Sequence, residues 1–246
     1  MFVLMGLASL FVSFLIGACG VGGVLLIPFL ALFGQLSTHQ AMATALFSFF
    51  FVGVTVTCVY QRHGSIHWKT TFPVLAGSLL SGYPGAWLGA FLSARMLDLI
   101  LAGVIIFSCL PSLRAPKKIC FAQRLDARGN FYLLFGIGLF TGFLCGMTGA
   151  GGGIVSTPVM LLFGYAVMPS IGTAQVLQCV VSISGSASNY SNGYIVFPLV
   201  WWVTAWEVAG VVLGARLAHS LPTEKLKYYA TILCLVIGVL IVLRSL

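Results

Sequence analysis

Glycine clusters interrupt two long apolar stretches of this chain at matching positions. The first covers residues 20–24, with the sequence Gly-Val-Gly-Gly-Val, and the second covers residues 150–154, with Ala-Gly-Gly-Gly-Ile. Where a helix breaks and restarts, its first N–H groups have no partner and carry partial positive charge. Such a restart can bind an anion without a charged side chain. The candidate binding residues in the clusters are Gly22, Gly23, Val24, Gly151, Gly152, Gly153 and Ile154.

The same glycines allow a second interpretation. Small residues let membrane helices pack closely, and a glycine cluster can serve that purpose alone. For the two clusters we favour binding, because broken helices at corresponding positions of two halves point to a transporter's binding site. For the isolated pairs Gly85/Gly89 and Gly210/Gly214 we favour packing.

Neutral polar side chains concentrate in the apolar segment at 169–190. Gln175, Gln178, Ser182 and Asn189 follow the i, i+3, i+7, i+14 rhythm of one helix face. A row of neutral donors can bind a sulfonate-type head group and still release it. The alternative is hydrogen bonding between helices, which typically contributes below about 2 kcal/mol per contact. The polar candidates for substrate binding are Thr44, Thr173, Gln175, Gln178 and Ser182.

Glu207 is the only acidic residue deep within an apolar segment. A carboxylate in the bilayer costs roughly 2.5 kcal/mol or more unless it is paired or neutral. We interpret Glu207 as a candidate for proton coupling; the alternatives are a structural partner, such as Arg216, or a position near the membrane surface. Arg216 is also a candidate anion ligand, although an arginine near a helix end ordinarily extends to the interface.

These residues belong to a chain whose composition indicates a membrane protein. Of its 246 residues, 60% are hydrophobic and 7% are charged, whereas ordinary soluble domains are about 25% charged. Continuous apolar runs favour helices over a barrel of short alternating strands. We therefore expect an all-α polytopic membrane protein, and we expect its net charge of +8 to reflect its loops and not a nucleic-acid partner. The eight predicted segments cover residues 2–33, 39–60, 68–92, 96–112, 131–163, 169–190, 196–219 and 222–245.

The sequence predicts two homologous units of four transmembrane helices, each with a broken first helix. Gly23 matches Gly153 at an offset of 130, and Thr44 matches Thr173 at an offset of 129. An even number of crossings in each unit favours parallel units, but first segments that fold back at their glycines would make the units inverted. The predicted parts are a membrane repeat at 1–112, a basic loop at 113–130 and a second membrane repeat at 131–246.

Basic residues indicate an orientation in the membrane. If the eight segments alternate in direction, eight Lys and Arg residues fall on one side, five of them in the long loop, and four fall on the other. The positive-inside rule makes the richer side cytoplasmic. We therefore expect the N-terminus, the long loop and the C-terminus in the cytoplasm.

The motifs together resemble the TauE/SafE family of sulfite-exporter-like permeases. The resemblance covers nearly the whole chain. It lies in the Gly-rich, Pro-containing first segment of each unit, in Gly172-Thr173 with Ala43-Thr44, and in the Gly-x-x-x-Gly-Ala sequences that begin at Gly85 and Gly210. It implies a multi-pass transporter of the cytoplasmic membrane, in a family whose substrates include sulfite and organosulfonates.

The predicted function is a secondary transporter of small anions, with sulfur-containing anions favoured and protons as a candidate coupling ion. The alternative is a passive channel or facilitator for small anions or neutral solutes. We do not expect an enzyme, because the sequence offers no nucleophile–base pair and no paired acids at membrane depth. We accordingly predict no catalytic residues, no cofactor and no metal site, and the oligomeric state is left open.

Overall fold

The computed structural model describes residues 2–19, 23–113 and 126–218, together with 235, 236 and 239. Within these ranges the chain forms helices and no strand. The helices are α1 (Phe2–Cys19), α2 (Gly23–Phe33), α3 (Thr38–Arg62), α4 (Trp68–Phe91), α5 (Ala94–Leu113), α6 (Ala127–Thr148), α7 (Gly153–Leu162), α8 (Val167–Ser191) and α9 (Phe197–Ala218).

The predicted all-α polytopic membrane fold is confirmed. Four of the described helices, α3, α6, α8 and α9, are long and apolar enough to cross a membrane. Most of the predicted basic loop at 113–130, and all but three positions of the predicted segment at 222–245, lie outside the described residues.

Each predicted first segment is divided into a long and a short helix. Residues 2–33 form α1 and α2, and residues 131–163 form α6 and α7. Gly149 ends α6 with a left-handed φ of 66°, and its N–H donates to the carbonyl of Cys145 at 2.9 Å. Glycine adopts this C-terminal conformation without the steric cost of a side chain.

Each short helix returns toward the face from which the long helix before it came. α2 begins at Gly23 beside the ring of Phe49, which lies in the middle of α3, and only residues 34–37 separate its end from the start of α3. α7 begins after Gly152, which lies against the backbone of Ala174 and Gln178 in the middle of α8, and residues 163–166 separate its end from the start of α8. Both first segments are therefore re-entrant hairpins.

Close glycine contacts fix the direction of α1 relative to α9. A Cβ added to Gly210 would clash with the carbonyl of Leu10, and a Cβ added to Gly214 would clash with that of Phe14. Because the contacting residue numbers rise together, the two helices are parallel. The same relation holds between α6 and α4, where Gly77 lies on the carbonyl of Phe135 and Gly85 lies on that of Phe143.

Contacts across the centre of the bundle give the remaining directions. Two contacts between α3 and α9 rise together in number: the N–H of Val196 donates to Oγ1 of Thr44 at 3.2 Å, and the ring of Phe51 packs on that of Trp201. These helices are therefore parallel.

The two central helices, α3 and α8, run in opposite directions. Gly53 of α3 lies against Cys179 of α8, whereas Leu46, earlier in α3, lies against Gly185, later in α8. α8 runs parallel to α4, since Thr71 contacts Thr173 and Ala86 contacts Gly185.

Two faces of the bundle follow from these directions. α1, α3 and α9 begin at one face, here called the α1 face, and α4 and α8 end there. α6 and α8 begin at the opposite face, here called the α6 face, and α3 and α9 end there.

The favoured parallel arrangement of the two units was therefore wrong. α1 and α6 run in opposite directions because neither first segment makes a simple crossing, and the halves are inverted.

The halves also interlock. α1 of the first half packs most extensively on α9 of the second, and α6 of the second half packs most extensively on α4 of the first. These contacts are equivalent at an offset of 129, because Gly85 lies on Phe143 as Gly214 lies on Phe14. The glycines at both interfaces allow the backbones to approach, as favoured for the isolated glycine pairs.

We predict that Gly85→Ala lowers stability. Its Cβ would meet the carbonyl of Phe143, which is backbone and cannot rotate away, and overpacking of this kind costs about 1–3 kcal/mol. Gly136→Ala is the matched control, because Gly136 lies within α6, the helix on which α4 packs, but has nothing within 4 Å of an added Cβ. Thermal unfolding of the purified protein in detergent measures both. Equal melting temperatures for the two variants would contradict the close packing of α4 on α6.

Candidate functional site

The two helix breaks meet inside the bundle. A Cβ added to Gly23 would lie 2.9 Å from the carbonyl oxygen of Ala150 and 3.1 Å from the ring of Phe49. A Cβ added to Gly151 would lie 3.3 Å from the same ring. Phe49 is completely buried. The structure thus brings the described part of both glycine clusters to one aromatic side chain; Gly22 lies outside the described residues.

The second break shows why glycine occupies its positions. Gly149 and Gly151 have φ values of 66° and 77°, a left-handed region that other residues rarely adopt. A Cβ added to Gly152 would lie 2.7 Å from the backbone nitrogen of Gln178 and 3.0 Å from the carbonyl oxygen of Ala174. Close packing therefore accounts for Gly152, while backbone conformation accounts for the other two.

The start of α7 supplies backbone donors next to this break. Gly152 precedes the helix and provides no side-chain cap. Its carbonyl accepts from the backbone N–H of Ser156 at 3.3 Å and from the hydroxyl of Ser156 at 2.8 Å. The N–H groups of Gly153, Ile154 and Val155 precede that of Ser156, which is the first N–H that the helix itself uses as a donor. All three residues are buried.

Gln178 places an unpartnered amide beside these donors. Its side chain is 2% exposed, and among the described residues its Nε2 has no hydrogen-bond partner. Its Cδ would be 3.7 Å from a Cβ on Gly151. Ser182 follows one turn later on the same helix face, is fully buried, and likewise has a hydroxyl without a partner in the described part of the chain. Buried polar groups without partners are unusual in folded proteins and call for an explanation.

The side-chain amide of Gln175 has one atom with a hydrogen-bond partner and one without. Its Nε2 donates to the carbonyl of Ile16 at 2.9 Å, near the end of α1, where helix carbonyls lose their intrahelical donors. Its Oε1 is buried without a partner among the described residues. Tyr60 acts beside it in the same way, since its hydroxyl donates to the carbonyl of Gly17 at 2.9 Å. Sequence reasoning did not identify Tyr60, because a tyrosine near a helix end is ordinarily an interface residue.

The two candidate threonines have their hydroxyls occupied within the protein. Thr173 and Thr71 form a hydrogen bond of 2.8 Å between α8 and α4, and Thr44 accepts the N–H of Val196 at 3.2 Å. Both contacts join the halves. We therefore leave Thr44 and Thr173 out of the site that we propose below.

Glu207 lies at the midpoint of α9 and is completely buried. The hydroxyl of Ser48 on α3 faces its carboxyl group, but neither carboxyl oxygen meets the geometry of a hydrogen bond with any described residue. Ser48 instead donates to the carbonyl of Ala45 at 2.9 Å. Glu207 is therefore buried in protein and lies far from both ends of α9.

Arg216 is not the partner of Glu207. It is exposed in the last turn of α9, nine residues further on, which corresponds to about 13 Å along the helix axis. The other described Lys and Arg residues are exposed as well. The structure therefore leaves Arg216 outside the buried cluster at the helix breaks.

Thr157 was overlooked as a candidate. It lies on α7, one residue before Pro158, and its buried hydroxyl has no partner among the described residues. Its position in a re-entrant helix next to the glycine cluster was the available signal, since polar groups in such helices line a cavity or are buried in protein.

Comparison with known proteins gives a consistent relationship over the whole chain. The family model described as Sulfite exporter TauE/SafE matches residues 5–241. The probable membrane transporter protein YunE of Bacillus subtilis is 25% identical over 265 residues, covering 96% of this chain and 94% of that protein. YdhB of the same organism, also a probable membrane transporter protein, is 21% identical over 227 residues, covering 90% and 92%. The probable membrane transporter protein MJ0441 of Methanocaldococcus jannaschii is 23% identical over 252 residues, covering 94% and 93%. No solved structure matches this chain significantly.

We predict different stability effects for two equivalent substitutions on α8. Gln175→Met removes the hydrogen bond to Ile16 and should destabilise the protein by about 1 kcal/mol. Gln178→Met removes an amide whose Nε2 has no partner, so it should be neutral or stabilising. Thermal unfolding in detergent without substrate compares the two. If Gln178→Met lowers the melting temperature as much as Gln175→Met does, Gln178 has a structural partner.

Proposed function

This chain belongs to the sulfite exporter TauE/SafE family, and we propose that it is a secondary membrane transporter of small anions. Sulfite, organosulfonates and related sulfur compounds are the favoured substrates. The observation that carries this proposal is the buried start of α7 with the unpartnered Nε2 of Gln178 beside it. A helix restart alone would be explained by packing, but a buried side-chain donor without a partner points to a ligand.

The chemistry of this site suits an oxyanion. The N–H groups of Gly153 and Ile154, the amide of Gln178 and the hydroxyl of Ser182 are all neutral donors, and the helix dipole adds partial positive charge. Sulfite and sulfonate groups present three oxygen acceptors on one sulfur atom. Because the described Lys and Arg residues are exposed, an anion here forms no buried ion pair and can be released readily. Gly23 and Val24 at the first break are the symmetry-related candidates.

Glu207 is the proposed proton-coupling group. Its carboxyl group faces Ser48, the residue that precedes Phe49 at the meeting point of the two breaks. A charged carboxylate in this low-dielectric region would repel a bound anion, whereas a protonated one would not. Anion and proton would therefore favour each other's binding, as coupled transport requires.

The helix directions also support a revised orientation. Among described residues, Arg62, Lys69, Arg128 and Arg216 lie at the α6 face, and Arg95 lies at the α1 face. α5 begins two residues after α4 ends at the α1 face, so its 20 residues lead to the α6 face. The sequence that joins α5 to α6 adds Arg114, Lys117, Lys118 and Arg124. We therefore propose that the α6 face is cytoplasmic and that the N-terminus lies outside, contrary to the expectation from eight simple crossings.

A passive channel is the alternative. It would need a continuous path between the faces, whereas the described parts of both breaks are buried around Phe49. The measurement that separates the two is uptake of radiolabelled sulfite, thiosulfate and a short organosulfonate into proteoliposomes, with and without a pH gradient. A coupled carrier concentrates its substrate above equilibrium; a channel only equilibrates it.

We predict that Gln178→Met raises the KM for the transported anion by about tenfold or more, because a hydrogen bond to a charged group contributes about 1.5–3 kcal/mol. Gln61→Met, which alters an exposed glutamine at the end of α3, is the matched control and should keep the original KM. Initial uptake rates at several substrate concentrations give both values. An unchanged KM in a stably folded Gln178→Met variant would remove Gln178 from the site.

We predict that Glu207→Gln abolishes accumulation driven by a pH gradient while downhill uptake continues. Glutamine keeps the size of the side chain but cannot exchange a proton. Asp126→Asn, at an exposed position before α6, is the control and should accumulate substrate normally. Gradient-driven accumulation by Glu207→Gln equal to that of the unaltered protein would assign the coupling to another group.

A further inference from the structure

A cavity opens among the helix ends at the α1 face. Its walls come from the start of α3, the ends of α4, α6 and α8, and the start of α5. The polar residues that line it are His39, Asn189 and Tyr194, and the rings of His39 and Tyr194 stack with centroids 5.2 Å apart. The cavity has a volume of about 10 Å³, room for about one water molecule, and the imidazole, amide and phenol in its wall suit a polar occupant.

The wall of the cavity includes the last turn of α6, which directly precedes the second helix break. Gly146 and Met147, in the last turn of α6, line it together with Met42. Gly149 follows two residues later, and a Cβ there would lie 2.6 Å from the carbonyl oxygen of Met42. Only Ala150 then separates Gly149 from Gly151, which contacts Phe49. The cavity and the proposed anion site are therefore neighbours along the same short stretch of chain.

The inverted symmetry identifies the equivalent place at the α6 face. At the offset of 129, Asn189 corresponds to Tyr60 and Gly146 corresponds to Gly17. Asn189 lines the cavity beside Gly146, whereas Tyr60 is completely buried and its hydroxyl donates to the carbonyl of Gly17 at 2.9 Å. One half therefore has a short amide where the other has a phenol ring that bridges α3 to the end of α1.

We propose that the cavity at the α1 face is the route by which a small anion reaches the helix breaks, and that Tyr60 closes the equivalent route at the α6 face. This inference rests on the proposed transport function. With the α6 face in the cytoplasm, the structure corresponds to an outward-facing state of an alternating-access cycle, in which the cavity must widen before an anion can pass because the breaks themselves are buried. A single hydrogen bond contributes only about 1 kcal/mol, so the closure at Tyr60 can be reversed within a transport cycle.

The test is thiol labelling with a membrane-impermeant reagent, which needs no substrate. Single cysteines are introduced at Asn189 and at Ala18, the counterpart of the cavity residue Met147 at the offset of 129, in a variant that keeps Tyr60 and from which the seven native cysteines have been removed. Ser93→Cys, exposed at the α1 face, and His67→Cys, exposed at the α6 face, report the orientation. Intact cells expose the outer face, and inverted membrane vesicles expose the cytoplasmic face.

We expect Asn189→Cys to react from the same side as Ser93→Cys, and from intact cells. With Tyr60 intact, Ala18→Cys should react at least about tenfold more slowly from the side of His67→Cys than Asn189→Cys reacts from its own side, because tenfold corresponds to about 1.4 kcal/mol of preference for one state. Ala90→Cys, at another position of the cavity wall, provides a second reporter if Asn189→Cys does not fold.

Three results would overturn the proposal. They are Asn189→Cys and Ala90→Cys that fail to react while Ser93→Cys reacts, reaction of either from the side of His67→Cys only, and faster reaction of Ala18→Cys than of Asn189→Cys. Labelling of Ser93→Cys only in inverted vesicles would overturn the orientation. If the cavity is accessible but the protein transports no anion, the proposed function is contradicted while the difference in accessibility between the two faces stands. Failure of the function and failure of the route are therefore distinguishable.

Discussion

Backbone polar groups that lose their helical partners inside a lipid bilayer must find other partners, and this requirement organises the molecule. The end of α1 leaves the carbonyls of Ile16 and Gly17 without intrahelical donors, and Gln175 and Tyr60 supply them from α8 and α3. At the other break, Gly149 closes α6 with its own N–H. At the start of α7, the first backbone N–H groups are not used by the helix, and the proposed anion site lies beside them.

Glycine carries out two tasks in this fold. At Gly149 and Gly151 it allows a left-handed backbone, which lets α7 turn back beside α6. At Gly85 and Gly214 it removes a side chain, which lets α4 approach α6 and α9 approach α1. The first task shapes the breaks, and the second holds the helices that surround them. Substitution at either kind of position changes the backbone before it changes any ligand contact.

The sequence predicted the helices and both breaks, because apolar length and glycine clusters are local signals. It did not predict that α2 and α7 turn back, since this depends on the contact of Gly23 with Phe49 and of Gly152 with Gln178, which only the assembled bundle contains. The treatment of both first segments as crossings and the parallel arrangement of the units followed wrongly from that single point, and the orientation that we propose differs from the expected one for the same reason. Among the polar residues, Gln178 remains a site candidate, but Thr44 and Thr173 are used between helices, a distinction that residue type alone cannot make.

The pairing of α1 with α9 has a consequence for how the protein is made. Leu10 and Gly210 are in contact but lie 200 residues apart in the chain, so at about 5–20 residues per second their synthesis is separated by about 10–40 s. During that interval the N-terminal hairpin is in the membrane without the surface on which it packs, and Ile16 lacks the donor from Gln175. The first hairpin therefore reaches its final packing only after α9 has been synthesised. Neither half of the chain is a folding unit by itself.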